Sequence, residues 1–323
     1  MKVSMEKVPC PLCGDDKAYP LLEWQNRRMV RCHGCSLVYR NPRPAASKVR
    51  EAYATQRTSP EVEERVAERR SLQFENFFDS LPNRPGRLLD VGCGSGFFLK
   101  MAEERGWDAL GVDLNAQAVA YAKTHRQVNA VCSDVRDLPF PERSFDLVTL
   151  WNVLDHTPDP VDVLTRIHRL LKENGYVFIR TPNAAWQYMS FRLAKFLRPL
   201  GWETLFGGRP YSTFIFHLSN FSRTTLRLLL DHSGFIHLYI RNSPPIPGDP
   251  YLGLGPTGER LVGLGKRAVH ATAQAVAFLS GRHWLIGSSL EAWGQRGQMQ
   301  DSLARVRRAT ATGKESEEPT NAA

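Results

Sequence analysis

The feature that most constrains this chain is an apolar, strand-like run that leads directly into three closely spaced glycines. In Arg87-Leu-Leu-Asp-Val-Gly-Cys-Gly-Ser-Gly-Phe-Phe-Leu99 the glycines are Gly92, Gly94 and Gly96. Glycine lets the backbone turn sharply and approach a ligand closely, because it has no Cβ atom. A dinucleotide fingerprint would need glycine at position 97, which is Phe97 here, and the Lys-Ser/Thr of a phosphate loop is missing. The pattern favours a turn that binds another ligand class; a turn without a ligand is the alternative.

Two further apolar segments end in acidic residues. WDALGVD ends at Asp113, 21 residues after Gly92, and VNAVCSD ends at Asp134. An acid at Asp113 can accept hydrogen bonds from both hydroxyls of a ribose, and Asp134 could accept one from an adenine amino group. Strands that alternate with helices form a parallel sheet with its ligand crevice at their carboxyl ends. We therefore expect an α/β fold whose site lies at the edge that also holds Asp90.

The later segments extend this predicted sheet. SFDLVTLW ends at Trp151-Asn152, and YVFIRTPN follows a predicted helix at about 160–171. GFIHLYIRN supplies another strand, and WLIGSSLEAWGQR is predicted to be the last strand, running antiparallel to its neighbours.

Together these motifs resemble the class I S-adenosylmethionine-dependent methyltransferases. LLDVGCGSG is similar to the first motif of that family, GVDLN to its ribose-binding segment, and SDVRDLPFPERSFDLVTLWNVLDHTPDP to its adenine-side segment and fourth strand. LLKENGYVFIRTPN is similar to the fifth-strand region, with Glu-Asn where Pro-Gly is usual. The resemblance covers roughly 85–242 plus the closing strand. It implies a Rossmann-like, seven-stranded sheet that is mostly parallel with an antiparallel last strand.

The resemblance also implies S-adenosyl-L-methionine as cofactor. The three glycines would cradle its methionine part, Asp113 would hold the ribose, and Asp134 with Val135 would lie at the adenine. The expected cofactor contacts are Asp90, Gly92, Gly94, Gly96, Asp113, Leu114, Asp134, Val135 and Asn152.

His156 is the first candidate catalytic residue. Methyl transfer from a sulfonium is an in-line displacement in which positioning supplies much of the catalysis, and a base is needed when the acceptor has a high pKa. An imidazole after the fourth strand suits proton abstraction near neutral pH.

His156 is similar to the His of "LEH" segments in quinone and related O-methyltransferases. Some of those carry acids for a metal, a pattern from which Asn152 and Asp155 depart. Capping of the helix that starts near Asp159 is the alternative role.

Two insertions are expected on the acceptor side. Residues 184–217 are aromatic and basic and are predicted to form a lid, with Tyr211 and His217 contacting the acceptor and His217 as the second candidate catalytic residue. The helical stripe in this segment could equally be simple packing. Residues 243–283 contain a predicted amphipathic helix at about 258–280. Such a helix could lie on a membrane, contacting it through 258–282, or cover a lipid-like substrate; a core helix is the alternative.

Four of the six cysteines form two pairs near the N-terminus. Cys10-Pro-Leu-Cys13 and Cys32-His-Gly-Cys35 are separated by 18 residues, a spacing that matches a zinc ribbon in which four thiolates hold one structural Zn²⁺. The alternatives are chance pairs or a redox motif. The ribbon followed by NPRP is similar to an accessory module of some small-molecule and sugar methyltransferases.

The net charge of +9 is unevenly distributed. Residues 1–50 carry +6, residues 51–180 carry −4 and residues 181–300 carry +7, so the basic regions flank the predicted cofactor domain. No segment reaches the roughly 20 apolar residues needed to span a bilayer, and the N-terminus lacks the apolar core of a signal peptide. We expect a cytoplasmic protein, with contact at the inner membrane face as a variant, and an anionic or lipid-like acceptor.

These observations predict a zinc ribbon over 1–44, a helical connector over 45–84, a methyltransferase domain over 85–300 and a disordered tail over 301–323. The predicted function is methyl transfer at oxygen to a small-molecule acceptor, which is a sugar-containing, lipid-like or secondary-metabolite intermediate. One alternative is an rRNA or tRNA base methyltransferase in which the ribbon recognises RNA. It lacks support because the Asn/Asp-Pro-Pro-aromatic signature is missing. The other alternative is a zinc-containing binding protein that senses the cofactor.

Overall fold

The structure is a computed structural model that describes residues 4–24, 27–55, 64, 66, 68–81, 85–197, 217–246 and 256–298. Three predictions fall outside this part of the chain. They are Tyr211 with the lid residues 198–216, the start of the second insertion at 247–255, and the tail at 301–323.

Thirteen strands and eight α-helices are used below, numbered in chain order. The strands are β1 (Met5–Glu6), β2 (Ala18–Trp24), β3 (Arg27–Cys32), β4 (Val38–Arg40), β5 (Arg43–Pro44), β6 (Arg87–Val91), β7 (Asp108–Asp113), β8 (Ala130–Cys132), β9 (Phe145–Trp151), β10 (Leu171–Pro182), β11 (Ser219–Asn220), β12 (Phe235–Asn242) and β13 (Ser289–Arg296). The helices are α1 (Ala46–Ala54), α2 (Ser71–Asp79), α3 (Phe97–Glu104), α4 (Ala116–Tyr121), α5 (Pro160–Leu170), α6 (Ala184–Leu197), α7 (Arg223–His232) and α8 (Pro256–Leu279).

The centre of the fold is a seven-stranded sheet in the order β12-β13-β10-β9-β6-β7-β8. Strand β13 is antiparallel to both β10 and β12, whereas β10, β9, β6, β7 and β8 pair in parallel. The carboxyl ends of the parallel strands therefore meet at one edge, where α/β proteins bind ligands. The predicted seven-stranded, mostly parallel sheet with an antiparallel last strand is confirmed.

Both faces of this sheet are covered, which explains the nearly continuous apolar runs in its central strands. Leu88 and Leu89 are fully buried on opposite faces of β6. On one face the apolar stripe of α2 forms an aromatic cluster with neighbouring elements. Its rings are Phe74, Phe77, Phe78, Phe98, Trp151, Phe178 and Trp293.

The N-terminal cysteine module packs directly on the part of the chain that contains the central sheet. Its antiparallel sheet has the order β11-β4-β3-β2, so its outer strand, Ser219–Asn220, comes from far along the sequence. Buried Arg43 donates to the Pro158 carbonyl oxygen, and its Nη2 lies 3.3 Å from Asp159 Oδ1. The zinc ribbon predicted over 1–44 therefore contains a sheet whose outer strand comes from residues that follow the predicted lid.

Among the described residues, no helix combines the length and the apolar character that crossing a membrane would require.

Candidate functional site

The glycine loop after β6 has a backbone that side chains would disturb. Gly92 and Gly96 have φ angles of +75° and +78°, a region that disfavours residues with a Cβ atom. A Cβ at Gly92 would lie 2.5 Å from Val153 Cγ2, and one at Gly96 would lie 2.8 Å from Val128 Cγ2. The loop therefore leaves no room for a side chain at position 92 or 96.

Asp113 ties this loop to the end of β7. The amide of Gly94 donates to Asp113 Oδ2 at 2.9 Å, and the amide of Asn115 donates to Oδ1 at 2.8 Å. Burial raises the pKa of Asp113, opposed by these backbone hydrogen bonds. The carboxylate is thus fixed in orientation beside the loop, as a ribose-binding acid would need to be.

Asp90 lies beneath the loop rather than in a solvent-filled space. Its side chain is buried, and its Oδ1 accepts a hydrogen bond from Thr149 Oγ1 at 2.7 Å. Burial raises the pKa of Asp90 to about 8. Asp90 therefore links β6 to β9 behind the site.

A cavity of about 220 Å³ opens beside the loop and crosses the ends of β6, β7 and β9. Seven of the predicted site residues line it: Gly92, Asp113, Leu114, Asp134, Val135, Asn152 and His156. Asp90, Gly94, Gly96 and His217 are not among the residues that line it. Much of the remaining wall is apolar, and α1 contributes Val49 and Tyr53 to it.

Asp134 is engaged by a neighbouring cation. Arg136 donates from Nε and Nη2 to the two oxygens of Asp134, at 2.9 and 2.6 Å, and Arg50 Nη1 lies 3.9 Å away. Burial alone would raise the pKa of Asp134, but the hydrogen bonds and charge of Arg136 outweigh it and hold the pKa below its ordinary value. Asp134 therefore faces the cavity as a carboxylate already paired with Arg136.

Asn152 takes a strained backbone conformation immediately after β9. Its φ angle is +59°, which is uncommon for a residue other than glycine. Its Oδ1 accepts a hydrogen bond from Arg180 Nη1 at 2.6 Å, and its amide donates to the Arg180 carbonyl oxygen at 2.8 Å. Burial lowers the pKa of Arg180 to about 10. The buried guanidinium thus helps to fix Asn152 at the cavity wall.

Three titratable side chains converge beyond Asn152. His156 Nε2 lies 3.2 Å and His217 Nε2 lies 3.3 Å from the same oxygen, Asp155 Oδ2. Asp155 is 1% exposed and His217 is 5% exposed, whereas His156 reaches the cavity. Within the described chain neither Asp155 oxygen completes a hydrogen bond with good angles. The orientation of the two imidazole rings therefore determines whether this buried carboxylate accepts hydrogen bonds from them.

This trio can act on protons or hold a cation. Burial lowers the pKa of His217, although the Asp155 charge opposes the shift, so this ring is favoured in its neutral form. One donor atom from each of Asp155, His156 and His217 lies within 4.8 Å of the others. One carboxylate and two imidazoles suit a transition metal better than Mg²⁺.

His217 is held in place by the N-terminal module. The amide of Leu218 donates to the Asp155 carbonyl oxygen at 2.8 Å, and the amide of Arg40 donates to the Leu218 carbonyl oxygen at 2.9 Å. Asn220 Oδ1 lies 3.3 Å from His217 Nδ1. Strand β11, which pairs with β4, therefore connects the trio to the cysteine module.

A family model described as a methyltransferase domain matches residues 61–238, more than half of the chain. The chain belongs to this methyltransferase domain family. It is 34% identical over 115 residues to the ubiquinone biosynthesis O-methyltransferase of Pseudomonas paraeruginosa, covering 33% of this chain and 50% of that protein. It is 33% identical over 135 residues to the enzyme of the same name from Idiomarina loihiensis, covering 40% and 55%. The chain thus spans about half the length of these curated relatives.

Solved structures share the methyltransferase fold. Phosphoethanolamine N-methyltransferase 2 of Haemonchus contortus, solved with phosphomonomethylethanolamine and S-adenosylhomocysteine, has a TM-score of 0.50 at 17% identity. The match covers 81% of this chain and 62% of that one. A Mesorhizobium loti S-adenosylmethionine-dependent methyltransferase has a TM-score of 0.46 at 19% identity, covering 71% and 98%. At 17% identity the likeness to the Haemonchus contortus enzyme shows the fold alone.

The methyltransferase carries a second group of possible ligands in its cysteine module. Cys10 Sγ lies 3.5 Å from Cys35 Sγ, Cys13 Sγ lies 3.5 Å from Cys32 Sγ, and all four sulfurs lie within 4.8 Å of one another. The six cysteines of the chain are free thiols. Tetrahedral Zn²⁺ with bonds of about 2.3 Å to sulfur requires similar sulfur–sulfur separations. The four residues therefore fit a zinc ion.

The arrangement of these thiols perturbs their protonation. The Cys35 thiol, hydrogen-bonded to Cys10, lowers the pKa of Cys10 to about 5, whereas burial raises the pKa of Cys32 to about 11. A cluster of four sulfurs cannot hold several thiolates at low cost without a cation, because like charges at this distance repel. This supports metal binding by the module.

Sequence reasoning missed several residues of the site. Val49 and Tyr53 lie four residues apart on one face of α1 and line the cavity, a spacing that identifies a helix face but not the surface it covers. The Tyr53 and His156 rings lie 5.7 Å apart, nearly edge to face. The sequence contained no local signal for Asp155 as the group shared by the two histidines, since its partner His217 lies on a distant segment.

Proposed function

We propose that this methyltransferase transfers the methyl group of S-adenosylmethionine to a hydroxyl of a small molecule. The observation that carries the proposal is the buried Asp155 carboxylate, which joins His156 at the cavity wall to His217 behind it. The same cavity is lined by Gly92 and Asp113. The expected cofactor-binding residues and a proton-accepting group therefore line the same cavity.

The residues at this edge suit the cofactor. The loop has no side chain at Gly92 and could not accommodate one, and Asp113 presents a fixed carboxylate to the cavity. When bound, S-adenosylmethionine supplies an electrophilic methyl group on a sulfonium. Asp113 would hold the ribose hydroxyls, Leu114 and Val135 would pack against the adenine, and Asp134 would meet its amino group together with Arg136.

His156 would take the proton from the acceptor hydroxyl. The ring lines the cavity, and its Nε2 lies 3.2 Å from Asp155 Oδ2. Its Nδ1 is buried and has no hydrogen-bond partner in the described part of the chain, so a movement of the ring would have to bring a nitrogen to the acceptor hydroxyl. A carboxylate beside the ring stabilises the imidazolium that forms as the methyl group moves. His217 would act as a positioning residue, because its buried ring holds Asp155 from the opposite side.

The acceptor is proposed to be a small molecule with an apolar body. Val49, Tyr53, Pro158 and Val163 line the cavity near His156, and apolar walls with few polar groups are typical of small-molecule sites. The relatives whose names describe O-methylation in ubiquinone biosynthesis match 33% and 40% of this chain, which supports a small molecule with a hydroxyl group as acceptor. Sugar-containing, lipid-like and secondary-metabolite intermediates with a hydroxyl group all fit this class.

The cysteine module is proposed to bind a structural Zn²⁺ through Cys10, Cys13, Cys32 and Cys35. All four positions of a tetrahedral ion would be filled by thiolates, which is the arrangement of structural sites rather than catalytic ones. The ion would stabilise the sheet to which β11 contributes.

Cofactor binding is tested by titrating S-adenosylhomocysteine into the wild-type protein and into Asp113→Ala. Loss of the two ribose hydrogen bonds should weaken binding by about 100-fold. Asp108→Ala is the matched control, because Asp108 lies at the exposed opposite end of the same strand and should bind the cofactor like the wild type. Equal affinities for all three proteins would sink the cofactor assignment.

The reaction is tested by screening acceptors with methyl-labelled cofactor. His156→Gln should lower kcat by about 100-fold or more with a hydroxyl acceptor, while His125→Gln, at an exposed position, should leave it unchanged. Labelling of transfer RNA or ribosomal RNA in preference to small molecules would favour the RNA alternative. Tight cofactor binding without labelling of any acceptor would favour the sensing alternative.

A further inference from the structure

Helix α8 has two apolar faces, and the described chain covers one of them. Ala273 and Ala277 are buried, and the Asn242 side chain donates to the Ala273 carbonyl oxygen at 3.1 Å, which anchors this face beside β12. On the opposite side Leu261 is 65% exposed and Phe278 is 84% exposed. The outer stripe, spaced three and four residues apart as on one helix face, is Leu261, Leu264, Ala268, Ala271, Ala275 and Phe278.

The surface continues past the end of the helix. Leu279 is exposed next to Phe278, and Trp284 is 69% exposed shortly after it. Isolated exposed apolar residues are common, but a contiguous apolar patch with large side chains at both ends marks an interaction site. Tryptophan favours membrane interfaces, because its ring is apolar and its N–H group is polar.

The charges around this stripe are mainly positive. Residues 256–288 contain four cations and one acid, Glu259. Arg260 and Arg267 are exposed one residue before Leu261 and Ala268, so they flank the stripe along one side. The cations are Arg260, Lys266, Arg267 and Arg282. An apolar stripe bordered by cations complements an anionic lipid surface, where headgroups meet the cations and acyl chains meet the apolar side chains.

The surface also lies at the edge of the sheet that holds the site. The insertion that contains α8 leaves from the end of β12 and returns at the start of β13. Since β12 and β10 are both antiparallel to β13, both junctions lie at the carboxyl edge of the parallel strands. Asn183, which follows β10, donates to the carbonyl oxygens of Leu285 and Gly287 at 2.8 Å each. Contact through α8 would therefore bring the catalytic edge close to the contacting surface.

From these observations we infer that α8 and Trp284 form a docking surface for an anionic membrane, on which the methyltransferase lies without crossing the bilayer. The apolar stripe would enter the boundary between headgroups and acyl chains, and Arg260 and Arg267 would pair with lipid phosphates. This inference goes beyond the proposed reaction, because it concerns where the enzyme binds rather than what it methylates.

The test is flotation of the full chain with phosphatidylcholine vesicles, prepared with and without phosphatidylglycerol. We expect binding to the anionic vesicles at low salt. Leu264→Glu combined with Phe278→Glu should weaken it by about 100-fold or more, and Arg260→Gln combined with Arg267→Gln by about 30-fold. The control, Asn76→Asp with Gln298→Glu, adds the same charge at exposed positions outside α8 and should keep more of the binding than the stripe variant does.

Three results would overturn the inference: no flotation of the wild type, equal flotation with neutral and anionic vesicles, or equal loss in the stripe and control variants. Sedimentation velocity of the lipid-free protein separates a second copy from a membrane, since a dimer that only the stripe variant dissociates would assign the face to self-association. S-adenosylhomocysteine affinity, measured on every variant, should stay at the wild-type value because the substituted side chains are exposed. Vesicle binding is scored without methyl transfer, so its outcome is independent of the proposed reaction.

Discussion

Asp155 Oδ2 and His217 Nε2 lie 3.3 Å apart, although 61 residues separate them in sequence. Asp155 follows β9 of the central sheet, whereas His217 immediately precedes β11, the outer strand of the cysteine module. A buried carboxylate is costly without a partner, and a nearby imidazole N–H lowers that cost when it points at the carboxylate. The contact therefore joins the two parts of the molecule at the place where the proposed proton acceptor lies.

The first prediction concerns Asp155. Asp155→Asn keeps the size of the side chain but removes the charge that would stabilise a protonated His156, so kcat with a hydroxyl acceptor should fall by about 100-fold. S-adenosylhomocysteine affinity should stay within about twofold, because Asp155 does not line the cavity. Asp162→Asn, at an exposed position in the first turn of α5, is the control. The rate is measured from the labelled product that has formed at a series of fixed times.

A metal-dependent reaction gives a different result at the same residue. If Asp155, His156 and His217 hold a catalytic cation, a chelator should abolish transfer while the cysteine module keeps its zinc, and added divalent metal should restore it. Proton transfer by His156 predicts full activity under these conditions. Metal analysis before and after dialysis shows whether the cysteine module has kept its zinc. The chelator is chosen weak enough to leave that zinc in place, so that any loss of transfer reports on Asp155, His156 and His217.

The second prediction concerns the cysteine module. The wild-type protein should contain one Zn²⁺ per chain, and Cys13→Ser should lose it and lower the melting temperature, since metal binding in small zinc modules supplies on the order of 10 kcal/mol of folding free energy. Because β11 belongs to this sheet, kcat should fall as His217 loses its support. Cofactor affinity should change little, since Gly92 and Asp113 lie on the central sheet.

Cys132→Ser serves as the control for that experiment. Cys132 is exposed at the end of β8, outside the four-cysteine cluster, and its substitution should leave zinc content and melting temperature unchanged. A zinc content near zero in freshly purified wild-type protein would contradict the prediction. Loss of cofactor binding together with kcat in Cys13→Ser would instead indicate that the module supports the whole fold.

The cofactor edge could be predicted from sequence, whereas the acceptor side could not. Gly92 and Asp113 lie within short motifs whose local geometry determines their position, so the strand ends and the loop were expected where the structure has them. Asp155 and His217 meet through β11, a strand of two residues that is too short to have a recognisable periodicity. Tyr53 reaches the cavity only because Arg43 and the strands before it fix the start of α1 against the catalytic part.

The third prediction compares two glycines. Gly92→Ala would place a Cβ 2.5 Å from Val153 Cγ2 in a left-handed backbone conformation, and should lower the free energy of unfolding by about 2–4 kcal/mol as well as weaken cofactor binding. Gly265→Ala meets no atom within 4 Å on the exposed side of α8. It should raise the free energy of unfolding by about 0.5–1 kcal/mol, since alanine favours helices. Urea denaturation measures both, and a similar sign for the two variants would contradict the argument.

The fourth prediction concerns the pH dependence that buried Asp90 imposes on folding. Its pKa is raised by burial to about 8, so between its ordinary pKa of about 4 and pH 8 the folded state binds more protons at this group than the unfolded state does. The free energy of unfolding contributed by Asp90 therefore falls as pH rises through this window, by up to about 1.4 kcal/mol per pH unit.

Asp90→Asn can still accept from Thr149 Oγ1 but does not titrate. Its stability relative to the wild type should increase steadily from pH 5 to pH 8, as measured by urea denaturation at each pH. A difference that is constant across these pH values would show that Asp90 is ionised in the folded protein, with Thr149 Oγ1 at 2.7 Å as the donor that stabilises it.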